Sequence, residues 1–219
     1  MFRIKICGIT SAEDARVVVR AGADAVGLNF YPKSPRFLKL ETAREIVDAL
    51  PDGIVKVGLF VNAAADDLTS IVDLLGLDLI QLHGDEPPEF LVAMGDRPVM
   101  RAFRLDEDGL QPITEYLRRC RRLDCMPRMV LIDSHVAGAY GGTGVVADWS
   151  TLPSYPADED FPPLVLAGGL TPLNIADSIN TVRPAAVDTA SGVESSPGRK
   201  DPAAVEAFVH AAQRAFGDV

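Results

Sequence analysis

Ile4-Lys5-Ile6-Cys7-Gly8-Ile9-Thr10-Ser11-Ala12-Glu13-Asp14, closed by Gly22 and followed by Ala25-Val26-Gly27-Leu28-Asn29-Phe30, contains a complete strand–helix–strand unit. Its two ends, Ile4–Ile9 and Ala25–Phe30, are short and nearly continuous apolar runs. Such runs, unlike alternating ones, indicate strands buried on both faces, as in a parallel sheet. Between them, Thr10 or Ser11 is placed to cap a helix. Glu13 and Asp14 then set carboxylates against the positive end of its dipole. Gly22 supplies the residue at which such a helix stops.

The same unit recurs along the chain. Further strands are expected at Lys56–Val61, Leu79–His83, Pro98–Phe103, Met129–Asp133, Leu164–Ala167 and Ala186–Asp188. Helices are expected at Glu41–Leu50, Asp66–Leu75, Glu89–Met94, Leu110–Arg122 and Pro172–Val182, and from Asp201 to about Phe216. Only the helix after the sixth strand is poorly marked. Eight units in 219 residues average about 27 residues each, which fits an α/β fold of the (βα)8 TIM-barrel type with eight parallel strands. An open doubly wound sheet would carry a Gly-rich phosphate turn after its first strand; here that strand runs into Cys7-Gly8-Ile9-Thr10. No linker divides the chain, and Pro153–Pro163 reads as a surface loop. The expectation is one barrel domain over residues 1–219.

Composition narrows the function. The chain is 47% hydrophobic and 24% charged, with a net charge of -10 and a pI near 4.7. An acidic surface argues against nucleic acid and anionic lipid, both of which select basic patches. A phosphorylated small molecule stays open, because backbone N–H groups can bind an anion locally. Three cysteines, Cys7, Cys120 and Cys125, form no regular pattern with His83, His135 and His210 and suggest a reducing compartment. The opening MFRIKICGIT lacks the apolar core of a signal peptide, and no apolar run approaches the ~20 residues of a membrane span. A cytoplasmic enzyme is expected, as a monomer or a homodimer.

In barrels of this kind, chemistry sits at the carboxyl ends of the strands. There the chain places Cys7, then Arg36 on the stiff Lys33-Ser34-Pro35-Arg36 loop, then His83 and Asp133. Glycine clusters follow strands six, seven and eight: Gly142-Thr143-Gly144, Gly168-Gly169 and Ser191-Gly192. Three such clusters on neighbouring strand ends suit a phosphate, since glycine lets the backbone approach an anion closely. The other residues read two ways. Cys7 is either a small buried hydrophobe or a reactive thiol. Asp133, at the end of an apolar run, is partly desolvated and suits a general acid, or else makes a structural ion pair. Arg36 is either a fixed fork for a carboxylate or a solvated surface charge. His83 is a substrate contact or a core histidine, and Asp188 contacts substrate or pins its loop.

Lys5-Ile6-Cys7-Gly8-Ile9-Thr10 resembles the opening signature of the phosphoribosylanthranilate isomerase family. The likeness continues through Phe30-Tyr31-Pro32-Lys33-Ser34-Pro35-Arg36, Gln81-Leu82-His83-Gly84, Asp133, Gly142-Thr143-Gly144, Asp148-Trp149, Ala167-Gly168-Gly169-Leu170 and Ser191-Gly192-Val193-Glu194. It ends with Pro197-Gly198 and Lys200-Asp201, in family order over nearly the whole chain. The resemblance implies an Amadori rearrangement of N-(5'-phosphoribosyl)anthranilate in tryptophan biosynthesis, with Cys7 as general base and Asp133 as general acid. It further implies that Arg36 holds the anthranilate carboxylate and that the glycine turns hold the phosphate. No metal or organic cofactor is implied, because the imine formed on ring opening is itself the electron sink. Val145, Ala147 and Ala190 depart from residues common in the family. A related isomerase of histidine biosynthesis would be expected to carry Asp where Cys7 stands. An idle scaffold barrel would be expected to have lost Cys7, Asp133 or Arg36.

Overall fold

A computed structural model describes residues 1–105, 108–133, 152, 155 and 161–217. Eight parallel strands form a closed barrel: β1 (Ile4–Cys7), β2 (Ala25–Asn29), β3 (Val55–Phe60), β4 (Leu79–Leu82), β5 (Val99–Arg104), β6 (Met129–Asp133), β7 (Leu164–Ala167) and β8 (Ala186–Thr189). The ring closes where β8 pairs with β1 through Ile4 with Val187, Lys5 with Asp188 and Ile6 with Thr189. Around it lie α1 (Ala12–Ala21), α2 (Leu40–Asp48), α3 (Ala65–Leu75), α4 (Pro88–Val92), α5 (Gln111–Arg122), α6 (Ile175–Val182) and α7 (Pro202–Phe216). The expected TIM barrel is the observed fold.

The apolar runs are buried on both faces for the reason their composition suggests. One set of side chains, including Val57, Leu79, Met100, Leu131 and Val165, fills the barrel interior. The alternate set, including Ile6, Leu28, Ile80, Ile132 and Leu166, packs beneath the helices. Local signals hold at α1: Ser11, rather than Thr10, caps it by accepting from the Asp14 N–H at 3.0 Å, and Gly22 ends it at φ 87°.

Several boundaries differ from expectation. β1 stops at Cys7, not Ile9, because Gly8 turns the chain at φ 71° and the N–H groups of Gly8 and Ile9 both donate to the Gly27 carbonyl, at 2.9 and 3.0 Å. α6 begins at Ile175, not Pro172, because the Thr171 N–H donates to Asn174 Oδ1 at 2.8 Å and forms a turn first. After β8 come a 3-10 turn, Ser191–Val193, and a short hairpin of β9 (Glu194–Ser196) with β10 (Arg199–Lys200), none of which the apolar periodicity signals. The helix expected after β6, with most of the expected Pro153–Pro163 loop, lies outside the described residues.

Candidate active site

A cavity of about 450 Å³ opens at the carboxyl ends of the strands. Cys7, Arg36, His83, Asp133, Gly168, Gly169, Ser191 and Gly192 all line it, so eight of the residues selected from sequence come together in one place. Gly142, Thr143 and Gly144 lie outside the described residues, as do Val145, Ala147 and the Asp148-Trp149 pair. A larger cavity of about 760 Å³ lies at the opposite end, among the strand starts Val55, Leu79, Val99 and Met129. Size does not decide between them. The smaller cavity gathers the thiol, the imidazole and the carboxyl at the end of the barrel where this fold places chemistry.

Cys7 and Asp133 reach the cavity from different sectors of the ring, with β7 and β8 between them on one side and β2 to β5 on the other. Cys7 is buried, and burial pushes its thiol up from the ordinary value. The ammonium groups of Lys5 and Lys200 oppose that rise, whereas the Asp188 carboxylate adds to it. Lys5 stands two residues before Cys7 on β1, so both point inward. It is fully buried, and its Nζ donates to Asp188 Oδ1 at 2.9 Å. Asp188 thereby pins β8 to β1 as well as lining the cavity. Gly27 leaves room for this group: a Cβ there would stand 2.6 Å from Cys7 Sγ and 3.0 Å from Lys5 Nζ.

Asp133 ends β6 with a quarter of its side chain exposed. His83 Nε2 faces its Oδ2 at 3.9 Å, and His83 Nδ1 lies 3.1 Å from Gln81 Nε2. An amide N–H donating to Nδ1 places the ring proton on Nε2, on the side of Asp133. Only a fifth of the His83 side chain is exposed, and desolvation first, with the nearby cations Lys5, Arg104 and Arg101, pushes its pKa down to about 4 against the pull of Asp133. At neutral pH the ring is therefore a neutral dipole beside Asp133 and not its counter-ion. Gln81 Oε1 is buried without a hydrogen-bond partner among the described residues.

Arg36 is neither loose nor solvated. Its loop is held by Ser34 Oγ, which accepts from the Arg36 N–H and from Asn29 Nδ2, each at 3.1 Å. Its aliphatic stem lies against Gly8, where a Cβ would collide with Arg36 Cδ. Its guanidinium donates through Nε and Nη2 to the two oxygens of Glu194, at 2.7 and 2.6 Å. Glu194 also accepts from the buried Lys200 Nζ at 2.8 Å, and Lys200 donates to the Ala190 carbonyl at 3.0 Å. Burial would raise the Glu194 carboxyl, but Arg36 and Lys200 outweigh it and hold it below its usual value. The fork on Glu194 leaves the remaining N–H bonds of Arg36, on Nη1 and Nη2, for a ligand.

Gly168 (φ 91°) and Gly169 (φ 65°) turn the loop after β7 in the left-handed region, where a side chain is strained. Thr189 Oγ1 donates to the Leu170 carbonyl at 2.7 Å, and Gly192 packs so closely on that carbonyl that a Cβ would collide with it. The β7 and β8 loops thus form one continuous wall with a glycine backbone, suited to an anion.

Sequence reasoning missed Lys5, Gln81, Arg104, Glu194 and Lys200 as parts of the site. A lysine in a strand buried on both faces is a signal for Lys5, because it has no solvent face to occupy. Glu194 and Lys200 carry no such signal, since their hairpin is short and polar. Among the described residues, no cluster of three or more His, Cys, Asp or Glu is placed to hold a metal ion.

Comparison with known proteins identifies the family of the chain. The family model described as N-(5'phosphoribosyl)anthranilate (PRA) isomerase matches residues 4–211. The chain is 47% identical over 214 residues to the N-(5'-phosphoribosyl)anthranilate isomerase of Geobacter sulfurreducens, covering 97% of this chain and 99% of that one. It superposes on the crystal structure of phosphoribosyl anthranilate isomerase from Thermotoga maritima with a TM-score of 0.86 at 38% identity, over 98% of this chain and 100% of that one. A second isomerase structure, in complex with reduced 1-(o-carboxyphenylamino)-1-deoxyribulose 5-phosphate, gives a TM-score of 0.81 at 37% identity, over 98% and 100% of the two chains.

Proposed function

The chain belongs to the N-(5'-phosphoribosyl)anthranilate isomerase family, enzymes of tryptophan biosynthesis, and we propose that it performs the Amadori rearrangement with Cys7 as general base and Asp133 as general acid. Asp133 gives its proton to the ribose ring oxygen, the C1'–O bond breaks, and the nitrogen lone pair forms a protonated Schiff base. Cys7, as thiolate, takes the proton from C2', and the C–H electron pair moves into the imine. The enolamine then becomes the ketone: Cys7 returns its proton to C1', and the C2' hydroxyl gives its proton to the Asp133 carboxylate, so both groups end in the form in which they began. Atoms and charge balance without an external oxidant, reductant or cofactor, because the imine accepts and returns the electron pair.

The observation that carries this reading is that a thiol on β1 and a carboxyl on β6 reach one cavity from separate sectors of the barrel. The chemistry needs an acid near the ring oxygen and a base near C2', with the sugar between them. Arg36, fixed on Glu194, takes the anthranilate carboxylate. Gly168, Gly169, Ser191 and Gly192, with Gly142, Thr143 and Gly144, take the phosphate. His83 bounds the sugar beside Asp133. One catalytic domain spans residues 1–219 and acts in the cytoplasm, as a monomer or homodimer, on a small phosphosugar and not on nucleic acid or membrane. Its acidic charge supports this, as does the finding that no helix among the described residues is long and apolar enough to cross a membrane.

The test is turnover of freshly generated phosphoribosylanthranilate, followed by loss of anthranilate-type fluorescence. The native chain is expected to turn it over, with Cys7→Ala and Asp133→Asn each at least ~100-fold slower, the low end of a general acid–base contribution. Full activity in either variant would remove that residue from its role. No turnover by the folded native chain would overturn the whole assignment.

A further inference from the structure

Lys5 is among the largest fully buried side chains of the described residues, and it carries a charge. Burying an ammonium is costly unless it is compensated, and the strand could have closed the barrel with an aliphatic residue at that position. Asp188 alone would neutralise it, yet the ammonium faces two partners. Its Nζ donates to Asp188 Oδ1 at 2.9 Å, and the Cys7 sulfur is the second group that stands beside it. The nitrogen and the sulfur converge on the same space in front of Gly27, where a Cβ would stand 3.0 Å from one and 2.6 Å from the other. That space is open only because residue 27 has no side chain.

We propose that Lys5 is a positioning residue for the reaction, its buried ammonium anchored by Asp188 and aimed at Cys7 Sγ, where it stabilises the thiolate that removes the C2' proton. The proposal rests on Cys7 being the base. It answers a difficulty in that role: an enclosed thiol resists ionisation, and an incoming carboxylate and phosphate deepen that resistance. The charged groups facing Cys7 are Lys5 on its own strand, Asp188 on β8, Lys200 on β10 and Arg36 on the loop after β2. Asp188 opposes the thiolate, and Asp133 acts on Asp188 in turn. Lys200 and Arg36 both donate to Glu194, whereas Lys5, anchored by Asp188, shares the space in front of Gly27 with the sulfur. As the thiolate takes up the proton, the S–H bond forms and the ammonium remains balanced by Asp188. The site returns to its starting charge when that proton passes on to C1', without moving a buried ion.

The test reads the thiol itself as well as turnover. Iodoacetamide alkylation of the Cys7 peptide is followed by mass spectrometry as a function of pH, which separates it from Cys120 and Cys125. In Lys5→Met, alkylation at a fixed pH below its midpoint is expected to fall at least about tenfold, with kcat falling in proportion and KM much less affected. In Asp188→Asn, the ammonium faces the sulfur without a competing carboxylate, so Cys7 alkylates faster than in the native protein. Damage to packing would not move the two variants in opposite directions. Should Lys5→Met fail to fold because Asp188 is left buried and unpaired, Lys5→Met/Asp188→Asn gives a neutral core, and its alkylation is expected below that of Asp188→Asn. An unchanged pH dependence in Lys5→Met or its double variant, or slower alkylation in Asp188→Asn, would overturn the role of Lys5. Because alkylation is read without substrate, those outcomes are distinct from failure of Cys7 as base, which shows as full turnover in Cys7→Ala.

Discussion

At the scale of single residues, the site depends on which ionic form each buried group holds. His83 is the clearest case, because its folded pKa of about 4 lies below the unfolded value near 6.5. The folded chain resists the proton that the unfolded chain accepts. The stability associated with neutral His83 is therefore fully present above about pH 6.5 and is lost as pH falls through 4, by up to roughly 3 kcal/mol. Urea unfolding at pH 7 and pH 4.5 should show a larger loss for the native chain than for His83→Gln, which does not titrate. Equal losses would mean that the ring is not held neutral. The same neutrality suits the proposed chemistry, since an imidazolium beside Asp133 would favour the carboxylate and weaken the acid.

At the scale of elements, the loops after β7 and β8 matter as a pair. Gly192 sits against the backbone carbonyl of Leu170, and backbone cannot swing aside as a flexible side chain can. Gly192→Ala is expected to lose about 1–3 kcal/mol of stability through overpacking and to raise KM for the phosphorylated substrate by opening the wall between the loops. Thermal unfolding and steady-state kinetics read the two effects. A stable variant with native KM would show that the two loops do not act together. The hairpin of β9 and β10 works similarly for Arg36: Glu194 and Lys200 fix a guanidinium whose own loop supplies only the Ser34 clamp.

At the scale of the molecule, the barrel depends on its closure and its outer helices. α7 packs against α1 and α6, and its Val205, Phe208, Val209 and Ala212 are buried. Each of its larger apolar side chains contributes roughly 1.5–3 kcal/mol by burial, so together they rival the ~5–15 kcal/mol stability of an ordinary domain. A chain ended after Lys200 is expected to lose its cooperative urea transition and its turnover together, even though every proposed catalytic residue is retained. A sharp transition in that truncated chain would show that the ring stands without its last helix. Net charge acts at this scale too. A net charge of -10 discourages nucleic acid, while the described residues proposed to bind an anion line the cavity at one end of the barrel.

The sequence by itself determined the barrel, because continuous apolar runs with capped helices between them have few ways to bury both faces of eight strands. It also determined the chemical ends of those strands, since Cys7, His83 and Asp133 stand where apolar runs stop. Pro32 and Pro35, both before Arg36, marked its loop as stiff, but the sequence left the residue open between a fixed fork and a solvated surface charge. Tertiary structure alone decided how these groups are held. Lys5 and Asp188 are 183 positions apart in the chain, Arg36 and Glu194 158 apart, and nothing local records either pairing. Ion pairs of this kind form when a closed ring brings β8 back to β1 and lays a short polar hairpin beside the first loops. Local pattern reports which face a residue takes, whereas the partner of a buried charge depends on which strand becomes its neighbour in space.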